Sequence, residues 1–514
     1  MIIHLKWIPL MAKSPFYLCF FLLFCFHGSF AQSPYDVRDY GAVGDGKSLD
    51  TEAINKAIAA ASAAGGGTVF FPAGEYLSYS IHLKSHVSLF LDHGSKLIAA
   101  GPEDGGRYDD PEPGPGNKFQ DFGHSHWQNS LIWGIGLEDV AILGTGVIDG
   151  KGLSRGFYST NKHWENIGVD ARPYMWEGGA NKAIALKLCK NVTLKDFTIL
   201  RGGHFGILAT GVDNLTIDNL KMDTNRDGMD IDCCRHVSIS NCKINSPNDD
   251  AICLKSSYAL GEARATEDVT ITNCQVSGYD LGTFIDGTYQ TNEADQVPDQ
   301  EGPTGRIKMG TESNGGFKNI TISNCVFKHS RGLALETVDG ALLEDIVITN
   351  ITMRDVTNSP FFLRLGARMR GPEGAEVGKL GRVSINNVNV YDADSRFSSI
   401  ISGIPGHPIE AVSLSNIRIW YRPLPEGEIP NVQQDVPEYE EAYPEPQKFG
   451  VLPAYGFFIR HVEGISMENI AINRPGEEHR PAVFVEDVNE MSLGIQLDGK
   501  PISDDDVMKG DIKK

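Results

Sequence analysis

Long apolar runs are scarce in this sequence. Past the amino-terminal stretch, no segment approaches the ~18 apolar residues of a helical membrane span, which excludes a chain that crosses a bilayer by helices. The one apolar run, Phe16 to Phe26, is too short to span; it follows Lys13 and precedes Gly28, Ser29, Phe30 and Ala31. That order describes an export leader cut near Ala31, with the mature chain, 32–514, secreted or periplasmic. Excess positive charge is missing as well. Lys and Arg total 46 against 67 Asp and Glu, a formal charge of -21 that becomes -23 once Lys6 and Lys13 leave with the leader. Nucleic-acid binding through a basic face is thereby excluded. Cysteine is sparse: of nine, Cys19 and Cys25 belong to the leader, leaving Cys189, Cys233, Cys234, Cys242, Cys253, Cys274 and Cys325. An odd count without metal-ligand spacing favours neither a disulfide framework nor a zinc site.

Two further absences bear on the fold. Asn-Gly-type turns do not recur at strand spacing, which excludes a sandwich of hairpins, and the leucine consensus of a horseshoe repeat is missing. What is present is a nine-residue motif that alternates apolar and polar residues and bends at Asn. It starts at Asn191, Asn214, His236, Asp268, Asn319 and Asp345, with weaker copies at Arg382, Ala411 and Gly464. Alternation marks strands with one buried face. The first starts lie 23 and 22 residues apart and the later intervals lengthen to 32 and 51. The expected fold is all-β, a right-handed parallel β-helix whose coils each need only their neighbours, with loops inserted around 278–305 and 422–447. Cys242, Cys274 and Cys325 share one repeat position and predict a buried thiol ladder. At the amino end, Asp50 and Thr51 start a helix whose apolar face is Ala53, Ile54, Ala57, Ile58 and Ala61, ended by Gly65-Gly66-Gly67, to cap the first coil.

Chemistry concentrates in two acidic clusters, Asn225-Arg226-Asp227-Gly228-Met229-Asp230 and Pro247-Asn248-Asp249-Asp250-Ala251. Asp227 and Asp249 are 22 residues apart, one coil, so strand spacing of ~4.7–4.9 Å brings them together on one face. Turns in such a fold collect Asp without any function. Adjacent Asp249 and Asp250 in an apolar context are nevertheless costly to hide, which points to use. Cleaving a glycosidic bond needs one protonated carboxyl and one ionised one, and crowded carboxylates supply both by holding a proton between them.

At these residues the chain resembles the pectin-degrading glycoside hydrolases of family 28, polygalacturonases and rhamnogalacturonan hydrolases among them, from Tyr35-Asp-Val-Arg-Asp-Tyr-Gly-Ala-Val-Gly-Asp-Gly46 to about Arg354. The family's Asn-Thr-Asp resembles Asn225-Arg226-Asp227 and its Asp pair resembles Asp249-Asp250. The resemblance implies an inverting hydrolase without cofactor or metal, in which Asp249 is the general acid and Asp227 and Asp250 activate water. It also places Asp230 and Lys255 against the sugar. Two motifs depart. The family's Gly-His-Gly-Ile is similar to Thr304-Gly305-Arg306-Ile307, so its histidine falls on Gly305, or on Arg306 with a one-residue slip. Its Arg-Ile-Lys-Thr is similar to Ala334-Leu335-Glu336-Thr337; an acid at Glu336 would repel a leaving-side galacturonate and predicts a neutral sugar such as rhamnose there. Cations at Arg306 and Lys308, with Arg364, Arg368 and Arg370 beyond, can take over substrate binding or form ordinary surface links with Glu312. His204, and a patch of His124, His126 and Trp127, are further candidates to line the cleft. The expected partner is an acidic plant or algal polysaccharide or its oligosaccharides, met by a monomer, with rhamnogalacturonan-type or exo-acting cleavage. Two readings stay open beside it: a lyase with Ca²⁺ held by Asp227, Asp249 and Asp250, and a non-catalytic glycan-binding β-helix.

Overall fold

The computed structural model describes residues 34–112, 119, 125–157, 172–174, 176–224, 226–292, 302–424, 431–476 and 478–510. The expected leader, His124 and Asn225 lie outside them. The repeat folds because its corners accept left-handed backbone. Asn191 and Asn214 sit at φ 54° and 57°, and Asn219, Asn241 and Asn273 at 56°, 58° and 57°. Short amide side chains tolerate that region by bonding locally. Here they bond to the next coil: Asn191 Nδ2 donates to Asp139 Oδ1 at 2.8 Å, and Asn214 Nδ2 to Asn191 Oδ1 at 3.0 Å. Ala411 holds the same corner at φ 51°, so coil stacking imposes the bend even where the side chain offers no bond.

Between corners the strands stack in ladders that are almost all parallel, and among the described residues all but a separate pair, Ser154–Phe157 with Arg172–Tyr174, join into one continuous sheet that winds along the chain. One wall of the solenoid carries the candidate site. Its strands, in stacking order, are β1 (Ile81–His82), β2 (Ile132–Ile135), β3 (Lys182–Lys187), β4 (Phe205–Thr210), β5 (Asp227–Asp232), β6 (Ile252–Ser256), β7 (Ile307–Ser313), β8 (Leu333–Thr337) and β9 (Phe361–Leu365). Inward, Ile81, Ile132, Ile184, Ile207, Met229, Ile252 and Ile307 form a ladder, all fully buried or nearly so. Fully burying each such side chain contributes ~1.5–3 kcal/mol, so register is strongly specified. Outward, one register column reads His82, Trp133, Ala185, Leu208, Asp230, Cys253, Lys308, Ala334 and Phe362. Aromatic and apolar ends thus flank a charged middle.

The thiol ladder is present: Cys242, Cys274 and Cys325 are buried and free, and hydrogen bonding to Cys242, ahead of burial, pushes the Cys274 thiol up to about 12. Helix α1 (Thr51–Ala63) buries the five expected residues against the first coil. Its start differs from expectation. The Asp50 carboxylate accepts from the Val43 and Gly44 amides at 2.6 and 3.1 Å instead of capping the helix, tying the preceding turn to it. No helix among the described residues is long and apolar enough to cross a membrane.

Candidate active site

Asp227 opens β5, and Asp249 and Asp250 lie on the turn entering β6. That turn is pinned to β5 by Gly228 N donating to Asp250 O at 2.9 Å and Met229 N to Ala251 O at 3.1 Å. The approach requires glycine: a Cβ on Gly228 would stand 2.4 Å from Ala251 O. One carboxylate oxygen from each of Asp227, Asp249 and Asp250 lies within 4.8 Å of the others. Sequence spacing therefore brings the three together as expected.

Of the adjacent pair only Asp250, 1 % exposed, is buried, while Asp249 stays partly exposed; Asp227 is 4 % exposed. Cations offset the cost. Arg306 Nε donates to Asp250 Oδ1 at 2.7 Å and Lys308 Nζ lies 3.2 Å from Asp250 Oδ2, while the Arg226 guanidinium grips Asp249 Oδ2. Arg306 and Lys308 are themselves buried; their surface link to Glu312 does not form, and Glu312 instead meets Lys255 at 3.1 Å. Lys255 also lies 3.3 Å from Asp230, which is fully buried. The histidine question is settled by space. Gly305 holds φ 49°, and a Cβ there would sit 2.2 Å from Ser277 O, so no side chain fits and Arg306 supplies the group beside the acid pair.

The three carboxyls are not equivalent. Burial, with Asp230 and Asp249 nearby, holds Asp227 well above the usual carboxylate range. Burial would raise Asp249 too, but Arg226, with Lys308 and Lys255, brings it down to about 2. The cluster's proton therefore rests on Asp227 in the free protein, because like charges this close cannot all ionise. Glu336 is fully buried beside Lys308 and Arg306, at 3.8 and 3.9 Å, and burial against the pull of those cations leaves it at about 7. Enclosed with those two cations, it offers no exposed charge, so the argument for a neutral leaving-side sugar loses its electrostatic basis.

Arg364 and Arg368 are spent on structure. Arg364 donates to Glu438 O at 2.7 Å and to Ser402 Oγ at 2.9 Å, and Arg368 Nε to Asp339 at 2.9 Å. His204 is buried with its ring 4.3 Å from that of Phe205. Trp127 is buried, donating from Nε1 to Thr210 Oγ1 at 3.1 Å under Lys187, and half-buried His126 meets Glu112 O at 3.1 Å. Trp127 thus covers the sheet beside Leu208 and Ala185 instead of lining open space.

Sequence reasoning missed four residues. Lys182, in register with Phe205 and so with Asp227, is buried against Asn129 and Asn181 at 3.2 and 2.6 Å, and burial brings it down to about 7. The other three belong to a strap, the described part of the long loop from 431 to 450. Glu445 accepts from Arg306 at 2.9 Å and from Arg331 at 2.8 Å. Tyr443, 41 % exposed, places its hydroxyl 3.0 Å from Thr311 Oγ1 and its ring 5.7 Å from Lys308. Phe449, with Leu452 and Ala454 just beyond the strap, packs onto Ala334, Phe362, Ile400 and Phe458. The strap thus lies over the outward face immediately past the acid cluster. An inserted loop around 422–447 was expected, but no local sequence feature specifies its contacts with Arg306, Arg331 and Thr311.

A divalent ion fits poorly here. Hard cations favour carboxylate oxygens, but Arg226, Arg306 and Lys308 already pair with two of the three acids. The arrangement matches instead a buried acid and base beside the strap.

The model of glycosyl hydrolases family 28 matches residues 117–280, spanning both acidic clusters. That of rhamnogalacturonase A/epimerase, pectate lyase-like, matches 35–101, the cap and first coils. A probable polygalacturonase of Vitis vinifera is 27 % identical over 352 residues, 61 % of this chain and 68 % of that protein. Among solved structures, the family 28 exopolygalacturonase of Yersinia enterocolitica superposes with TM-score 0.64 at 18 % identity, covering 91 % of this chain and 80 % of that one. A hyperthermoactive exopolygalacturonase from Thermotoga maritima gives 0.60 at 18 % identity, covering 86 % and 92 %. With the acid cluster in place on the matched coils, the chain is a glycoside hydrolase on a right-handed parallel β-helix, similar over residues 117–280 to glycosyl hydrolases family 28 and over 61 % of its length to a probable polygalacturonase.

Proposed function

We propose that the protein is an exported, exo-acting hydrolase that trims galacturonate-containing pectic chains from one end by inverting acid/base catalysis. The observation that carries this reading is the position of the strap. Glu445 meets Arg306 and Tyr443 lies beside Lys308, the two cations paired with Asp250, so on this reading the strap stops a polymer near the acid cluster. Buried cations around the acids suit an anionic sugar, and the leader supports export.

In the proposed mechanism Asp249 protonates the leaving oxygen while Asp227 and Asp250 activate water. For that, as substrate enters, Arg226 must release Asp249, which it keeps ionised in the free protein, and the proton held on Asp227 must pass to Asp249, leaving Asp227 ionised to activate water. A galacturonate carboxylate is a competing partner for that guanidinium. The exo reading is tested by the size of early products from decagalacturonate. Single sugars or dimers with slow loss of chain length are expected; a ladder of intermediate lengths from the first minutes would overturn it.

A further inference from the structure

One of the strap's anchorages lies away from the acid cluster, on β10 (Phe457–Asn473), which stacks on β11 (Val483–Leu497). Buried Arg460 donates to Val436 O at 2.8 Å and to Pro437 O at 3.0 Å, and buried Arg364 to Glu438 O at 2.7 Å and to Tyr439 O at 3.1 Å. The half-buried Glu438 side chain then lies 3.2 Å from Arg460 Nη2 and 3.3 Å from His461 Nε2. His461, 7 % exposed, has its other ring nitrogen 2.7 Å from Asp487 Oδ2. Glu438 and His461 meet at ion-pair distance without hydrogen-bond geometry, so their contact rests on charge.

We propose that His461 is a proton-operated latch: protonated, it holds the Glu438 leg of the strap down on the coils, and neutral, it lets that leg lift. A protonated imidazole donates from both nitrogens and answers both carboxylates. A neutral ring that keeps its proton on Nδ1 for Asp487 turns a lone pair toward Glu438 Oε2, and attraction becomes repulsion. The charges that face the ring are Glu438 from the strap, Asp487 with Glu486 from β11, and Arg460 from its own strand. The adjacent turn, from Gly403 to His407, adds exposed His407. Burial alone would lower the imidazole, but Glu438 and Asp487 bring it above its ordinary 6.5. The hold is therefore complete below pH 6.5 and is lost as pH rises through the higher folded value. Arg460 and Arg364 keep the main chain tethered throughout, so the change is a loosening of one leg. The latch itself needs no substrate; its control over cutting rests on the exo reading above.

The test is hydrogen exchange of the strap segment 436–441 in the full-length protein, compared with His461→Gln at equal pH so that the pH dependence of exchange itself cancels. At about pH 5.5 wild type should be protected about three- to fivefold more than the variant, the scale of a half-exposed ion pair. At about pH 9 the two should match. Glu438→Gln, a change on the strap that leaves the coils untouched, should show the same loss of protection at the lower pH. Equal protection of wild type and whichever variant folds at about pH 5.5 overturns the latch. So does a loosening with pH that persists in His461→Gln and vanishes in Glu336→Gln, since Glu336, at about 7, lies under the strap's other end through Thr311 and Tyr443. On the exo reading, early products from decagalacturonate should also lengthen as pH rises in wild type and not in His461→Gln. Constant product size beside the expected exchange result overturns the control of cutting alone, and absence of cleavage overturns the pectic reading while the exchange result stands.

Discussion

Asp227, Asp249 and Asp250 share a site but differ in what holds them, so their substitutions should differ in kind. Replacing any one by Asn should lower kcat by about 10²–10⁴-fold, the usual worth of a positioned acid or base. Asp250→Asn alone should also lower stability, by ~3–5 kcal/mol, because it leaves Arg306 and Lys308 buried without their carboxylate. Urea unfolding of the three variants separates the effects; equal stabilities would contradict the pairing. Arg226 stands where the family carries Thr. Arg226→Thr should raise the Asp249 pKa from about 2, and the alkaline limb of the activity profile should move to higher pH if Asp249 donates the proton; an unmoved limb would point to Asp227 as donor. Glu336 gives a stability test. Its folded pKa, about 7, is raised above the ordinary 4.5, so its contribution is fully present below pH 4.5 and lost as pH rises through 7. Glu336→Gln escapes that loss, so its melting temperature relative to wild type should climb between pH 5 and pH 8. At this scale the acids were legible because one coil separates them. The partners were not: Glu336 reads as a repelling charge until its burial beside Lys308 is seen, and no spacing announces Arg226 against Asp249.

Strands and corners were the readable elements, since a period of two and the recurring Asn state both directly. Loops were not. Glu445 lies 139 residues from Arg306 and 114 from Arg331, and Tyr443 132 from Thr311, so the strap's landing place is a tertiary fact that local sequence does not encode. On the proposed reading the strap is also where mode of action is decided. Glu445→Ala removes the carboxylate shared by two buried guanidinium groups and should loosen the strap without unfolding the coils beneath it. The expected outcome is a shift of early products from single sugars toward longer fragments, read by chromatography of decagalacturonate digests. An unchanged product pattern with lowered protease resistance around 431–450 would separate the strap from the choice of cut.

Across the whole molecule, stability is a sum over stacked coils, each resting on its neighbours, and the site is assembled from consecutive turns of that stack. Fold and acid cluster were legible together because one interval of 22 residues sets both. Substrate was less so, since the groups that contact it come from insertions and from side chains whose pairing depends on burial. The central claim is hydrolysis of a pectic chain by the Asp227, Asp249 and Asp250 cluster. The most direct measurement follows oligogalacturonate cleavage by proton NMR with ultraviolet absorbance recorded on the same sample. The account predicts saturated products whose first-formed anomer is inverted, abolished in Asp249→Asn and Asp227→Asn. A product carrying a new double bond, or turnover that persists without Asp249 and Asp227, would contradict it.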